Sequence, residues 1–478
     1  MQRRPRTPIP LAAIVLALSL SSVLCLFGVA GALASPRPAT GAAPPPASSR
    51  PSEVRLPQGV HGPGVQVTMA PAGLSFEYPA LAQDLGAGPC PPPALAAELV
   101  ALGSPPLSIA GDSQDMTAPS GALTGAPSSW ETATLYSLPA GFWSQLHCLL
   151  SASGDPLTVG LNAKSGQLAW AQQMVAGAQS AATAGLSFSL GNEPDLYYLP
   201  NYSSLAKPQA DEEAAAVNLY LQVASYLQPA LAGAPLIGPE LAVPSRWRAQ
   251  LPRVIAELHE QTVGVHMYPL SACTAPQAAT TRALLSAGAA DEPRSLAWVV
   301  ADADAAQVPA IVSEANSVSC GGKAGVSDSP ASAVWAVRFV LSALETGFHE
   351  VRFHFAGDSY DPFVVRGAEV ISRPLDGAMV ALNQWLPVGS TLQPLARLRG
   401  LIGAAVIGPA SAAQLILENE RAHAQEIVLR TGATVRVEAL SVVRAGVQSK
   451  LLSPRRGRVK LLVAANSVLA VLPAPPSA

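Results

Sequence analysis

Two glutamates in this sequence each follow a short apolar run, at the place where a buried strand would end. Glu193 lies in LSFSLGNEPD and Glu314 lies in VPAIVSEANS. Two carboxylic acids that converge can cleave a glycosidic bond, because one protonates the leaving oxygen while the other attacks the sugar or activates water. Taken alone, Glu193 could be a turn or capping residue, since Asn and Pro beside it are turn formers. The pair together favours glycoside hydrolysis.

The distance between two such carboxyl groups decides the stereochemical outcome. At about 5 to 5.5 Å the second acid is the nucleophile and configuration is retained, whereas about 6.5 to 9.5 Å leaves room for water and gives inversion. The sequence contains no measure of this distance, and it leaves both outcomes open.

Short apolar runs alternate with helix-like stretches through the middle of the chain, a pattern typical of a parallel sheet with crossover helices. We predict eight strands: 74–77, 107–110, 157–161, 186–190, 236–238, 262–266, 310–313 and 351–355. Eight such units in this length predict an α/β fold of the (β/α)8 TIM-barrel type, whose active site lies at the carboxyl ends of the strands. Glu193 and Glu314 follow the fourth and the seventh predicted strands.

Helical periodicity supports the predicted crossover helices. After Asp211 to Glu213, apolar residues recur with helical spacing, and we expect this stripe to face the barrel: Val217, Tyr220, Leu221, Ala224 and Leu227. A second helix is predicted from Ala331 to Leu344, with Val334, Val337, Leu341 and Leu344 on one face.

The sequence changes character after about Met379, where short β-type runs are separated by Gly and Pro. This pattern predicts a C-terminal all-β sandwich over residues 379–478, following a catalytic barrel over residues 60–378. The segment GVQVTMAPA, which precedes the first barrel strand, could add a strand to that sandwich.

The N-terminal segment predicts export. Residues 1–34 combine basic residues, a long apolar run and the sequence Ala32-Leu33-Ala34, which is typical of a cleaved signal peptide. The run is also long enough for an uncleaved membrane anchor, so both alternatives stay open. Residues 35–59 are rich in Pro, Ala and Ser and predict a linker. We therefore expect a secreted or extracytoplasmic protein, with anchorage through the N-terminal segment as the alternative.

Composition excludes some classes of partner and leaves others open. Only 13% of the residues are charged and the net charge is −3, so no nucleic-acid partner is expected. Four cysteines lie beyond the N-terminal segment and allow three pairings in an oxidising compartment: Cys90, Cys148, Cys273 and Cys320. Cys273 and Cys320 follow adjacent predicted strands, so a bridge at the rim of the site is plausible there and leaves Cys90 with Cys148. The cysteine and histidine spacing indicates no metal site, and no cofactor is predicted.

Five motifs, in the order of the predicted strands, resemble glycoside hydrolase family 79, a family of β-glucuronidases and heparanases among the retaining glycosidases of clan A. They are GLSFE at 73–77, SIAGDSQD at 108–115, GNEPD at 191–195, HMYP at 266–269 and SEANSVSCGGKAGVSD at 313–328. The resemblance covers most of the barrel. It implies hydrolysis of a β-linked glucuronide through a covalent glycosyl-enzyme intermediate.

The resemblance also implies roles for individual residues. Glu193 would be the general acid/base and Glu314 the nucleophile, and further residues would contact the sugar or border the nucleophile: Glu77, Asp112, Gln114, Asn192, His266 and Tyr268. Lys323 and Tyr360 are candidates for holding the uronate carboxylate, together with N–H groups of the CGGKAGVSD loop. Asp112 stands where the family often has Asn, and Ala110 where it often has Gly, so the contacts to the sugar are expected to differ there.

Two alternatives remain open. The chain could be another clan A β-glycosidase that acts on a neutral sugar, such as a glucosidase, xylosidase or galactosidase. It could also be a carbohydrate-binding cell-surface protein that keeps the fold without the reaction. A serine hydrolase is disfavoured, since the sequence has no G-x-S-x-G motif.

Overall fold

The computed structural model describes residues 52–55, 64–122, 136–197, 212–398, 401–408 and 413–474. The predicted signal peptide or anchor and most of the predicted linker lie outside the described residues. Within the described part of the chain, no helix combines the length and the hydropathy that a membrane span requires.

Eight parallel strands close into a barrel, in which each strand pairs with the next and the last pairs with the first. They are β1 (Ala72–Glu77), β2 (Leu107–Ala110), β3 (Leu157–Leu161), β4 (Leu186–Leu190), β5 (Leu236–Leu241), β6 (Thr262–Met267), β7 (Ala310–Ala315) and β8 (Val351–Phe355). The predicted (β/α)8 barrel is confirmed. Most strand residues are buried on both faces, as expected for a parallel sheet covered by helices.

The helices cover the barrel and fill its loops. The α-helices are Tyr78–Leu85, Pro93–Ala101, Phe142–Ser153, Leu168–Ala181, Glu212–Leu227, Leu251–Leu258, Thr281–Leu284, Ala287–Ala290, Ala297–Ala305, Pro330–Thr346 and Pro374–Trp385. Short 3-10 helices are Asp112–Met116, Pro194–Leu196, Gln228–Leu231, Pro244–Trp247 and Glu292–Leu296. The five apolar residues of the stripe predicted on Glu212–Leu227 are all buried, as expected.

The helix Pro330–Thr346 is buried on all sides, whereas its sequence pattern predicts one buried face. Every residue from Ala331 to Leu344 is buried, including Arg338. The Arg338 guanidinium lies 3.5 Å from the carboxylate of Glu418 and also pairs with Glu420, both of which belong to the C-terminal β region. The additional buried face of the helix thus packs against that region.

The C-terminal region is built from two sheets with a shared apolar core. A seven-stranded sheet has the order Val65–Gln66, Thr391–Leu398, Leu401–Ile407, Ala413–Asn419, Ser467–Pro473, Val435–Ser441 and Arg444–Leu452, and a three-stranded sheet has the order Ser52–Arg55, Gln425–Arg430 and Arg458–Val463. Side chains from both sheets form one buried cluster, so the predicted sandwich is present.

Two segments that precede the barrel take part in this sandwich. Val65–Gln66 pairs with Thr391 and Leu392, as the sequence suggested. Ser52–Arg55, in the segment expected to be linker, pairs in parallel with Ile427 to Arg430. The domain boundary expected after residue 378 falls inside the helix Pro374–Trp385.

Three short strand pairs and two disulfides fix the loops. The strand pairs are Thr117–Ala118 with Tyr136–Ser137, Leu270–Ser271 with Val318–Ser319, and Phe363–Arg366 with Glu369–Ser372. The disulfides join Cys90 to Cys148 and Cys273 to Cys320, as expected. The second disulfide links the loops that follow β6 and β7, where the candidate site lies.

Candidate active site

The barrel brings Glu193 and Glu314 together at its carboxyl end. Glu314 is the penultimate residue of β7, one position inside the strand rather than after it as predicted, and Glu193 lies three residues beyond the end of β4. His266, from β6, lies between them, with Nδ1 3.0 Å from Oε1 of Glu193 and 3.7 Å from Oε1 of Glu314. One oxygen of each glutamate and one nitrogen of His266 all lie within 4.8 Å of one another.

The carboxylate of Glu314 is held by Tyr268, the first residue after β6, and lies beside His354 of β8. The hydroxyl of Tyr268 donates a hydrogen bond of 2.7 Å to Oε1. Nδ1 of His354 lies 3.3 Å from Oε2, close enough for ion pairing but without hydrogen-bond geometry. This buried carboxylate therefore has a hydroxyl donor at one oxygen and an imidazole beside the other.

Glu77, the last residue of β1, organises the first loop of the barrel mouth. Its two oxygens accept hydrogen bonds from the backbone N–H groups of Asp112 and Ser113, at 3.0 and 2.7 Å, and Oε1 lies 3.3 Å from Nε2 of His354. Burial raises its pKa, but the His354 and Ser113 contacts outweigh burial and leave the pKa lowered. Gly111 allows this arrangement because a Cβ at that position would collide with the Glu77 carboxylate.

Both histidines of the mouth carry positive charge near neutral pH. Burial lowers the pKa of His266, but the carboxylates of Glu314 and Glu193 raise it to about 10. Burial also lowers the pKa of His354, but the carboxylates of Glu314 and Glu77 raise it to about 9. The Glu193, His266 and Glu314 atoms are close enough to share a metal ion, but the imidazole would first have to release its proton.

The sequence patterns did not single out His354, which lies between Glu77 and Glu314 in the structure. Alternation along β8 was the available signal, because residues two apart on a strand point to the same side. Arg352 and His354 share that side and are both buried among polar partners.

Asp112 and Asn192 meet at the mouth. The side-chain amide of Asn192 donates a hydrogen bond of 3.2 Å to Oδ1 of Asp112. Asp112 as a residue is exposed, while its carboxyl group lies beside Asn192 and near the acids Glu193, Glu77 and Glu314. Loss of hydration there, followed by the charges of Glu193, Glu77 and Glu314, raises its pKa to about 7.

Gln114 and Lys323, two of the predicted sugar contacts, point elsewhere. Gln114 is fully buried and donates to the carbonyl oxygens of Leu161 and Ser189, because the helix Asp112–Met116 turns its side chain inward beneath the mouth. The amine of Lys323 donates to the carbonyl oxygens of Pro276 and Ala279, which fixes it to the neighbouring loop. We therefore correct both expectations.

Tyr360 lies beside the two groups that hold Glu314. Its ring centroid is 5.7 Å from that of His354 and 6.5 Å from that of Tyr268, and the residue is 3% exposed. Burial and the nearby charge of Glu314 raise the pKa of its hydroxyl well above the ordinary value, so the hydroxyl stays protonated and can donate a hydrogen bond.

Comparison with known proteins gives structural neighbours but no sequence relatives. No family model matches the sequence, and no curated protein matches it either. Among solved structures, a 4-O-α-L-rhamnosyl-β-D-glucuronidase from Fusarium oxysporum is similar at a TM-score of 0.65 and 18% identity, over 88% of this chain and 100% of that one.

Two further neighbours are glycoside hydrolases of families 30 and 51. The catalytic domain of a family 30 xylanase C from Talaromyces cellulolyticus has a TM-score of 0.54 at 12% identity, over 89% of this chain and 100% of that one. A family 51 arabinofuranosidase from Xanthomonas axonopodis has a TM-score of 0.57 at 12% identity, over 86% and 97%. At these identities the likeness establishes the fold, a TIM barrel with an additional β region.

Proposed function

We propose that this protein is an exported retaining β-glycosidase, with Glu193 as the general acid/base and Glu314 as the nucleophile. The observation that carries the proposal is the approach of two carboxylate oxygens, one from each glutamate, to within 4.8 Å. So close an approach of two oxygens fits the separation of about 5 to 5.5 Å between the carboxyl groups of retaining enzymes better than the roughly 6.5 to 9.5 Å of inverting enzymes. The two disulfides are typical of proteins that work in an oxidising compartment.

The proposed reaction has two displacements. In the first, Glu314 attacks the anomeric carbon, the glycosidic C–O bond breaks, and Glu193 gives its proton to the leaving oxygen. In the second, Glu193 takes a proton from water as the water oxygen attacks the anomeric carbon. The ester bond to Glu314 then breaks and the free carboxylate returns, so the sugar keeps its configuration.

The surroundings of the two acids support this division of roles. Glu314 has the smaller exposed side-chain fraction, 8% against 14% for Glu193, and accepts a hydrogen bond from the Tyr268 hydroxyl, as suits a nucleophile held in a fixed direction. Glu193 lies outside its strand and nearer to solvent, as suits a group that exchanges protons with leaving group and water.

A β-linked glucuronide is the substrate class that we propose. The five motifs of family 79 support it, and so does the β-glucuronidase among the structural neighbours. Among the described residues, the ion pairs of Glu77, Glu193 and Glu314 are made with histidines rather than with Lys or Arg. We therefore expect neutral donors, such as the Tyr360 hydroxyl and backbone N–H groups of the 320–328 loop, to hold the uronate carboxylate.

Glutamine substitutions test the catalytic pair. Glu314→Gln should abolish turnover of an aryl β-glycoside, and Glu193→Gln should slow it by roughly 100-fold or more, the usual contribution of general acid-base catalysis. Glu257→Gln, on an exposed helix, is the control and should keep full activity. Unchanged hydrolysis in either active-site variant would overturn the assignment.

A panel of substrates tests the sugar. The wild-type protein should cleave 4-nitrophenyl β-glucuronide with a higher kcat/KM than the matching β-glucoside, β-xyloside or β-galactoside. A preference for a neutral glycoside would contradict the proposed glucuronide substrate but not the proposed mechanism. Binding of oligosaccharides without any hydrolysis would instead favour a carbohydrate-binding protein.

A further inference from the structure

The backbone at Glu193 is in the left-handed region, with φ 48° and ψ 53°. A side chain with a Cβ adopts this conformation only at an energetic cost, so surrounding contacts must hold it in place. Gly191, two residues earlier, is also left-handed, and a Cβ there would collide with the hydroxyl of Tyr197. The chain after β4 therefore makes a constrained turn that directs the Glu193 side chain.

A buried carboxylate holds this turn from below. Asp115 is 1% exposed, and its Oδ2 accepts hydrogen bonds from the backbone N–H of Asn192 at 3.0 Å and from the Tyr197 hydroxyl at 2.6 Å. Its Oδ1 accepts from the backbone N–H groups of Ala163 and Lys164, in the loop after β3. One side chain from the β2 loop thus ties together the loops after β3 and β4.

Asn192 is held from both ends by a single short helix. Asp115 accepts from its backbone N–H, and Asp112 accepts from its side-chain amide. Both acids belong to the helix Asp112–Met116. With Asn192 fixed in this way, the adjoining Glu193 has little freedom to change its backbone angles.

We propose that Asp115 is a positioning residue that fixes the direction of the Glu193 carboxyl group without touching the substrate. The inference rests on the proposed function, since it assigns Asp115 a part in proton transfer by Glu193. An asparagine at this position keeps the shape but turns an NH2 group toward N–H or O–H donors. The donors that faced one oxygen of Asp115 then lose their acceptor, on either the β3 loop or the β4 loop. We expect the Glu193 carboxyl group to leave its productive direction as a result.

Substrates with different leaving groups separate positioning from general loss of structure. A 2,4-dinitrophenyl glycoside has a leaving group that departs without protonation, whereas a methyl glycoside of the same sugar needs the acid. For Asp115→Asn we expect kcat/KM to fall roughly 10- to 100-fold on the methyl glycoside and less than about threefold on the dinitrophenyl glycoside. Tyr197→Phe, which removes one donor to Asp115, should show the same selectivity to a smaller degree.

Asp155→Asn is the matched control. Asp155 is an equally buried aspartate at the opposite end of the barrel, before β3, and its carboxylate accepts from Ser153. Its variant should affect both substrates alike, and thermal unfolding of every variant reports whether it has folded. If Asp115→Asn and Tyr197→Phe are folded and lose equal activity on both substrates, the positioning role of Asp115 is overturned. Hydrolysis by the wild-type protein would still support the proposed function in that case. If the wild-type protein hydrolyses no aryl or alkyl glycoside, the proposed function fails and this inference fails with it.

Discussion

At the scale of single residues, the mouth of the barrel balances acids against imidazoles. Glu77 and Glu314 share His354, while Glu193 and Glu314 share His266. Because the pKa values of both histidines are raised, the imidazoles stay charged at neutral pH and offset part of the repulsion among the carboxylates. Each of the two imidazoles therefore lies between two carboxylates of the mouth.

The hydrogen bond from Tyr268 to Glu314 gives a prediction at this scale. Tyr268→Phe removes a donor to a carboxylate, an interaction that contributes about 1.5 to 3 kcal/mol. We expect kcat/KM on an aryl glycoside to fall roughly 10- to 100-fold. Tyr226→Phe, whose ring is exposed on a barrel helix, should leave kcat/KM unchanged. Unaltered kinetics in Tyr268→Phe would show that the hydroxyl does not assist the nucleophile.

At the scale of elements, acidic side chains connect neighbouring loops of the mouth. Glu77 accepts from the loop after β2, Asp115 from the loops after β3 and β4, and Asp195 from Ala242 and Val243 after β5. The loops after β6 and β7 are joined differently, by a strand pair and the Cys273–Cys320 disulfide. Tyr268 is the first residue after β6 and Glu314 is the penultimate residue of β7, so both lie at the base of these two loops.

The position of that disulfide gives a prediction for these two loops. Replacing Cys273 and Cys320 by Ser removes a crosslink with a sequence separation of 47. A crosslink of this length stabilises the fold by about 4 kcal/mol, because it reduces the conformational entropy of the unfolded chain. We expect a lower Tm and a several-fold lower kcat/KM, because the loops beside the nucleophile gain freedom.

The Cys90–Cys148 pair is the matched control for this experiment. Its separation of 58 is similar, but it joins the segment before Pro93–Ala101 to the helix Phe142–Ser153, away from the two acids. Its double Ser variant should lower the Tm comparably and keep kcat/KM. Equal kinetic effects from both pairs would contradict a local role for Cys273–Cys320.

At the scale of the whole molecule, several acids that lie largely within the fold have raised pKa values. Burial is the largest cause that raises their pKa values, to about 6 for Asp155, Asp195 and Asp361 and to about 7 for Asp84, Glu292 and Glu418. In an unfolded chain such groups have pKa values near 4. Between about pH 4 and 7 the folded protein therefore binds protons that the unfolded chain has released, and its stability falls as the pH rises.

The histidines of the mouth act in the same direction at higher pH. Their folded pKa values of about 10 and 9 exceed the ordinary 6.5, so the stability that they contribute is present below pH 6.5 and is lost as the pH rises through those values. The pKa of Glu77 is lowered, so the stability that it contributes is lost as the pH falls. This loss occurs only below the ordinary pKa of 4.5.

We therefore expect a higher Tm at about pH 5 than at pH 8, which thermal unfolding across buffers measures. Glu418→Gln should reduce the slope of Tm against pH, because it removes one of the buried titrating groups. The exposed Glu257→Gln should leave the slope as it is. A Tm that rises from pH 5 to pH 8 would contradict the assignment of these acids as protonated in the fold.

The sequence by itself determined the parts of this protein that depend on local pattern. Apolar runs and helical periodicity located all eight barrel strands and the helix Glu212–Leu227, because burial imposes a period on the residues that meet the core. The position of Glu193 and Glu314 after such runs was enough to predict that they meet, since parallel strands end at one edge of a barrel.

Only the tertiary structure decided which side chains complete the site. Gln114 and Lys323 have suitable chemistry but satisfy backbone carbonyls elsewhere, whereas His354 and Asp115 hold the mouth together. Asp115 lies 77 residues from Asn192, its hydrogen-bond partner. Such choices depend on side-chain direction and on partners remote in sequence, and neither periodicity nor composition encodes them. The approach of Glu193 and Glu314 oxygens to within 4.8 Å was also decided by the tertiary structure, because it depends on the closure of the barrel.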